Sequence, residues 1–317
     1  MNTSIAKFTA DDAANIKEYY QSQGYVVIKN LLSHEKIDNL IKQYEKIKRS
    51  KSFIYYSQSV HKPLRPKISP EGFIEESIER PSHLKFFPNF SQAVLDCLID
   101  KKISDVLSIL SGSSSHSLWQ NMFFDKSPGT VEHQDHYYLD TEPPGNLLAV
   151  WYALENIHPE SGCFFVVPGS HKGQVINRKN YSQKKGIDAI ITEHDEMRRK
   201  IMSLIQEKNY KYQAFPLDKG DVLFWHPYTI HGAYNNSNPQ FSRKSLTGHF
   251  YPSHLKRANT KTPWLKPSPN PDILIRRNDL RLYGWNIKQY VTYFLKKLKS
   301  QETVVDMRRK SYTDYSE

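Results

Sequence analysis

Gly220-Asp221-Val222-Leu223-Phe224-Trp225-His226-Pro227-Tyr228-Thr229-Ile230-His231-Gly232 reads as a turn, a short apolar strand and a histidine closing on glycine. Gly-Asp supplies the turn chemistry, and the apolar run is too short for a helix. The run is one of a series: 117–124, 146–155, 163–168, 212–216, 221–226 and 244–251 are each apolar or alternating and are bounded by Gly and Pro. Most of the gaps between them are too short for crossover helices. The series therefore predicts an antiparallel sandwich or barrel, a mainly β fold, rather than a doubly wound sheet.

Upstream the texture is helical. Thr9 with Asp11 and Asp12 marks a helix start, with Ile16, Tyr19 and Tyr20 on one face as far as Gly24, and Tyr25 to Ile28 follows as a strand. Ser33 predicts an N-cap for a helix burying Ile37, Leu40, Ile41 and Tyr44. Residues 50–90 show no sustained period and are expected to be loop with one or two strands. Ser91 to Ile99 and Ile103 to Leu110 are apolar at helical spacing and end at Gly112. The simplest partition is one domain, 1–317. It comprises a helical N-terminal layer at about 10–112 and a β core at about 117–252. A rim insertion at about 171–211 holds a helix near Glu193 to Glu207, and a basic extension at about 253–317 holds a helix near 286–299.

Composition excludes several classes. Of the 317 residues 38% are hydrophobic and 24% charged, an ordinary globular balance. The longest apolar stretches, such as Leu147 to Leu154, fall far short of the ~20 residues a membrane span requires. Cys97 and Cys163 are too few for a disulfide framework, and the N-terminus has no signal-peptide pattern, so the expected setting is cytoplasmic. The net charge of +11 is concentrated in 171–211, with ten Lys/Arg against five Asp/Glu, and in 253–317, with fourteen against six. No run of like charge, zinc-finger spacing or aromatic-basic sheet signature accompanies it, so nucleic acid is not an expected partner. A basic rim favours a small anionic substrate. The oligomeric state is not legible.

The chemistry lies in two distant segments. In Val131-Glu132-His133-Gln134-Asp135-His136, side chains two apart on a strand share a face, so His133 and Asp135 can reach one metal. The pair alone is a weak signal, and His231 completes it. Two His and one carboxylate on one face of an octahedron leave three positions open, the arrangement non-haem Fe(II) oxygenases use for a bidentate co-substrate and O₂. Twelve residues after His231, Arg243 opens the next strand and can fork onto the far carboxylate of a dicarboxylate.

These segments carry a resemblance. HQD at 133–135, LLAVWYALE at 147–155, SGCFFVVPGSHKG at 161–173, GDVLFWHPYTIHGAYNNS at 220–237 and SRKSLTGHF at 242–250 resemble the phytanoyl-CoA dioxygenase family of Fe(II)/2-oxoglutarate-dependent oxygenases, as does GYVVIKNLLSHEKIDNL at 24–40. The resemblance implies a double-stranded β-helix (jelly-roll, cupin-like) core with N-terminal supporting helices. It implies His133, Asp135 and His231 as iron ligands and catalytic residues, and Arg243 on the distal carboxylate of 2-oxoglutarate. Trp151 and Gln120 match residues near that co-substrate. Ala233 stands where the family often has Ser, so Ser245 or Tyr228 is the expected substitute. The cofactors implied are Fe(II), 2-oxoglutarate and O₂, and the reaction is hydroxylation of an unactivated C–H with succinate and CO₂ as co-products.

His136, Tyr137 and Tyr228 are candidate substrate contacts. His226 competes with His231 as distal ligand, but Gly232 and the spacing to Arg243 favour His231. His171 reads as a turn residue and His249 as a strand residue. The same iron centre could serve an oxidative cyclase or desaturase. From other classes, a non-catalytic 2-oxoglutarate or metal-binding sensor and a Zn²⁺ hydrolase remain as alternatives; the hydrolase would have no use for Arg243.

Overall fold

Six of the expected runs fold as strands, and two more strands carry the histidines. The computed structural model describes residues 5–58, 60, 62–178, 187–258, 263–277 and 280–299; residues 179–186 of the expected insertion and the tail from 300 lie outside them. The core strands are β1 (His116–Phe124), β2 (Thr130–His133), β3 (Leu148–Ala153), β4 (Phe164–Val166), β5 (Gln213–Ala214), β6 (Val222–Trp225), β7 (His231–Ala233) and β8 (Ser245–Pro252). They pair antiparallel in two sheets of order β6-β3-β8-β1 and β5-β4-β7-β2. Successive strands cross repeatedly between the sheets, which is jelly-roll topology. The strand Tyr25–Ile28 extends the first sheet beyond β6.

Alternation along the strands explains why β3 and β6 read as apolar throughout. Leu148, Val150 and Tyr152 of β3, with Val222 and Phe224 of β6, face the helical layer. Ala149, Trp151 and Ala153, with Leu223 and Trp225, face the second sheet, where Phe164, Val166 and Phe215 meet them. A sheet covered on both faces leaves no polar side to its central strands.

Four helices form the covering layer: α1 (Ala13–Gln23), α2 (His34–Lys48), α3 (Pro88–Leu98) and α4 (Lys101–Ser111). α1 ends at Gly24 and α4 at Gly112, both left-handed. Ser33 caps α2 by accepting from the Lys36 N–H at 3.4 Å, as its position predicts. In 50–90 the structure has three short strands, Tyr55–Ser57, Lys62–Leu64 and Ile78–Glu79. Ile78–Glu79 pairs with β1, a non-local partner that local periodicity cannot reveal.

α5 (Ile187–Glu207) begins earlier than the sequence indicates and packs Met197, Ile201, Leu204 and Ile205 against Val167, Ile176 and Ile230. The basic segment thus covers the second sheet with an apolar face. α6 (Leu280–Lys299) is likewise longer than expected. Beyond the core, Thr141–Glu142 pairs with Lys256–Arg257, and Ile273–Arg276 runs parallel to the start of β1.

Candidate metal centre and its cavity

His133 and His231 lie directly opposite one another across β2 and β7, with ring centroids 4.2 Å apart. Each imidazole is fixed by the carbonyl two residues before it: His133 Nδ1 lies 2.8 Å from the Val131 carbonyl and His231 Nδ1 2.9 Å from that of Thr229. A carbonyl can only accept, so each Nδ1 carries the proton and each Nε2 presents a lone pair. Both Nε2 atoms approach Asp135 Oδ1, at 3.8 and 3.6 Å. One ligand atom from each of the three residues lies within 4.8 Å of the others, spacing at which a single ion can bridge them. The donor set, two neutral imidazoles and a carboxylate, fits a divalent first-row metal.

Asp135 reaches this point differently from the expectation. β2 ends at His133, and Asp135–Tyr137 is a 3-10 turn, so the carboxylate swings back under the histidines instead of sharing a strand face with His133. Its other oxygen, Oδ2, accepts from Trp225 Nε1 at 2.9 Å and lies 3.5 Å from His249 Nε2. Burial opposes the charge on Asp135, but His231, His249 and His133 outweigh it and hold the carboxyl well below its usual range. Burial, with His231 nearby, pushes His133 down to about 4, and burial lowers His231, so both rings are neutral at physiological pH.

The three residues border a cavity of about 270 Å³ whose wall includes Gln120, Met122, Phe124, Trp151, Arg243 and Thr247. Arg243 is 2% exposed and has no carboxylate partner among the described residues. Its Nη1 donates to the Gly162 carbonyl at 3.1 Å, its Cζ sits 5.3 Å from the Phe124 ring and 5.9 Å from that of Trp151, and its Nε has no partner. Burial brings its guanidinium down only to about 10, so it stays charged. Trp151 Nε1 and Ser245 Oγ are also buried without partners. An unpaired buried cation beside the unsatisfied Trp151 N–H is costly unless a ligand compensates it, and a dicarboxylate end fits that requirement, whereas Ser245, the expected substitute for the missing serine, does not border the cavity.

The three candidate substrate contacts fall elsewhere. His136 Nδ1 meets Asp140 at 2.5 Å and its Nε2 meets Asn177 at 2.7 Å, turned out of the turn that carries Asp135. The Tyr137 hydroxyl donates to the Glu193 carbonyl, its ring buried against α5. Tyr228 packs edge-on against His136 at 5.0 Å. None of the three borders the cavity, whereas Tyr138, Leu139 and His194 do. The Tyr138 hydroxyl and His194 Nδ1 are 2.7 Å apart. His226 lies away from the centre against Tyr20 and His171. Ala233 lines the cavity as expected. Sequence reasoning missed Trp225 and His249 as partners of Asp135; Trp225 is the fourth residue of β6 and His249 the fifth of β8, and only the register that sets both opposite Ala149 of the intervening β3 brings them together.

The phytanoyl-CoA dioxygenase family model matches residues 20–245. The peroxisomal phytanoyl-CoA dioxygenase of Homo sapiens is 26% identical over 248 residues, covering 74% of this chain and 67% of that protein. A phytanoyl-CoA dioxygenase domain-containing protein 1 of Danio rerio is 26% identical, covering 77% and 90%. Among solved structures, the epimerase SnoN in complex with Fe³⁺, alpha ketoglutarate and nogalamycin RO aligns with a TM-score of 0.56 at 16% identity, over 83% of this chain and 98% of that one. EctD from S. alaskensis with 2-oxoglutarate and 5-hydroxyectoine gives 0.54 at 18%, over 77% and 78%. These two carry the same fold. With the family match spanning most of the chain, this protein belongs to the phytanoyl-CoA dioxygenase family of Fe(II)/2-oxoglutarate-dependent oxygenases.

Proposed function

We propose that this oxygenase hydroxylates an unactivated C–H of a small anionic metabolite, with His133, Asp135 and His231 holding Fe(II) and Arg243 holding the distal carboxylate of 2-oxoglutarate. The observation that carries the reading is the conjunction, in one cavity, of the His-Asp-His triad with an uncompensated buried arginine. Bound Fe(II) with 2-oxoglutarate and O₂ supplies the oxidation, releasing succinate and CO₂ as one oxygen atom enters the substrate. The chain's own residues do the positioning. Val131 and Thr229 fix the imidazole tautomers. Trp225 and His249 occupy Asp135 Oδ2 and leave Oδ1 for the ion. Met122, Phe124, Val131 and Phe164 keep the cavity wall apolar and exclude water.

The anionic substrate class is supported by a cationic cluster beyond His249 on β8, outside the residues that border the cavity. Tyr251 lies on the same face of β8 as Thr247 and His249, roughly 7 Å beyond His249. The Arg257 guanidinium sits 5.5 Å from its ring and 4.6 Å from that of Trp119, with Nε unpartnered. Burial, with Arg80 and Arg276 nearby, lowers the pKa of Arg257. His83 beside them is pushed down to about 3 by burial and these cations. Glu79 on Arg80, at 3.2 Å, is the one carboxylate paired with this group among the described residues. A phosphate or carboxylate would relieve that repulsion.

Anaerobic titration with Fe(II) and 2-oxoglutarate tests the centre: a visible metal-to-ligand charge-transfer band should appear and be lost in His133→Ala. Iron binding without the band would favour the sensor or hydrolase readings. Product analysis then separates hydroxylation from cyclisation or desaturation on the same centre. A cytoplasmic location, consistent with two unpaired buried thiols, is part of the proposal and is tested by cell fractionation.

A further inference from the structure

α6 docks through a mixed face and leaves an apolar one outside. Inward it buries Leu282, and polar anchors fix it: Asn286 donates to the His83 carbonyl at 2.9 Å and accepts from the Lys85 N–H at 3.2 Å, and the Tyr290 hydroxyl donates to the Ser52 carbonyl at 2.6 Å. Its outward face is apolar: Tyr283, Ile287, Val291, Phe294 and Leu295 are each between 45% and 53% exposed. Their spacing of three and four residues makes one stripe along the helix. Phe86, 48% exposed, packs edge-on against Tyr290 at 5.0 Å beside the same helix. Six of the eight exposed large hydrophobic side chains among the described residues therefore lie on α6 or touch it. A folded chain does not leave such a stripe in water without a use.

Charge identifies the occupant. The α6 sequence, LRLYGWNIKQYVTYFLKKLK, holds five Lys/Arg and no Asp/Glu. Lys288 and Lys296 are exposed on the same helix, and Lys85 Nζ sits 6.0 Å from the Tyr283 ring. A second copy of this chain would oppose two helices of like charge. An anionic lipid headgroup layer instead offers acyl surface to the stripe and negative charge to the lysines. No helix among the described residues is long and apolar enough to cross a membrane, so such a helix lies in the interface plane rather than spanning. We propose that α6 docks the oxygenase on the surface of an anionic membrane, with its apolar stripe seated between headgroups. The proposal goes beyond the oxygenase reading and does not depend on it.

The test is co-sedimentation of the full chain with phosphatidylcholine vesicles, with or without phosphatidylglycerol, at low and high salt. Binding to the phosphatidylglycerol vesicles is expected to exceed binding to pure phosphatidylcholine by about tenfold or more and to weaken with salt. The exposed pair Ile287→Glu with Val291→Glu should abolish it. Lys288→Glu with Lys296→Glu, which leaves the stripe intact, should reduce it about tenfold and decides the matter if the first variant misfolds. Absence of binding to either vesicle, or equal binding by both variants, overturns the proposal. So does a wild-type dimer in size-exclusion chromatography that the Ile287/Val291 variant dissociates, with no vesicle binding, which would assign the stripe to a second copy.

Discussion

Trp225 and Arg243 do opposite things with one buried polar group each. Trp225 gives its only N–H to Asp135 Oδ2 at 2.9 Å and so orients a ligand, while Arg243 keeps an unsatisfied Nε for a ligand yet to come. Trp225→Phe removes the hydrogen bond and little volume; Fe(II) affinity should fall about tenfold or more, as for other partners of metal ligands, measured by competition with a chromophoric chelator. Arg243→Met should raise the 2-oxoglutarate concentration for half-maximal formation of the charge-transfer band about 10- to 100-fold while leaving Fe(II) affinity near wild type. An unchanged 2-oxoglutarate dependence would dismiss the clamp. At this scale, His133, His231 and Arg243 were legible as candidates from residue type, spacing and the family resemblance taken together. Asp135 was legible as a residue but not in its route to the centre, since a 3-10 turn and a strand end leave the same letters.

Between elements, Gly162 joins the turn before β4 to the arginine. It sits at φ +83°, and a Cβ there would lie 2.6 Å from the Tyr234 carbonyl oxygen and 2.7 Å from Ser127 Cβ. Its own carbonyl is the one that Arg243 Nη1 grips. Gly162→Ala is expected to cost at least about 2 kcal/mol in urea unfolding and to raise the 2-oxoglutarate requirement with it. By contrast Ser33→Ala, which removes the cap of α2 far from the cavity, should cost about 1 kcal/mol with no change in 2-oxoglutarate dependence. The helices and most core strands were legible because caps, glycines and apolar periods are local. The strands at Ile78–Glu79 and Tyr55–Ser57 were not, because the first exists by pairing with β1 far along the chain and the second by a three-residue pairing with Lys62–Leu64.

For the molecule as a whole, pH acts through buried histidines remote from the centre. His116 is 0% exposed with Ser111 Oγ at 2.8 Å, and burial pushes its pKa from the ordinary 6.5 to about 4. Above pH 6.5 folded and unfolded chains are both neutral there, and this part of the stability is fully present. As pH falls from 6.5 towards 4 the unfolded chain takes up a proton that the folded chain refuses, and stability declines by about 3 kcal/mol. The melting temperature should drop across that window, and less steeply in His116→Gln; parallel profiles would remove His116 as the cause. By itself the sequence determined the antiparallel β class and the covering helices, because strand period and capping are written in neighbouring letters, and it named the candidate metal and dicarboxylate residues through their types and the family resemblance of two distant segments. Only the tertiary structure decided that Trp225 and His249 share Asp135, that His136, Tyr137 and Tyr228 stand outside the cavity, and that α6 turns its apolar face outward. Those outcomes depend on register between strands and on which helix face finds a partner, and neither is fixed until the chain has folded back on itself.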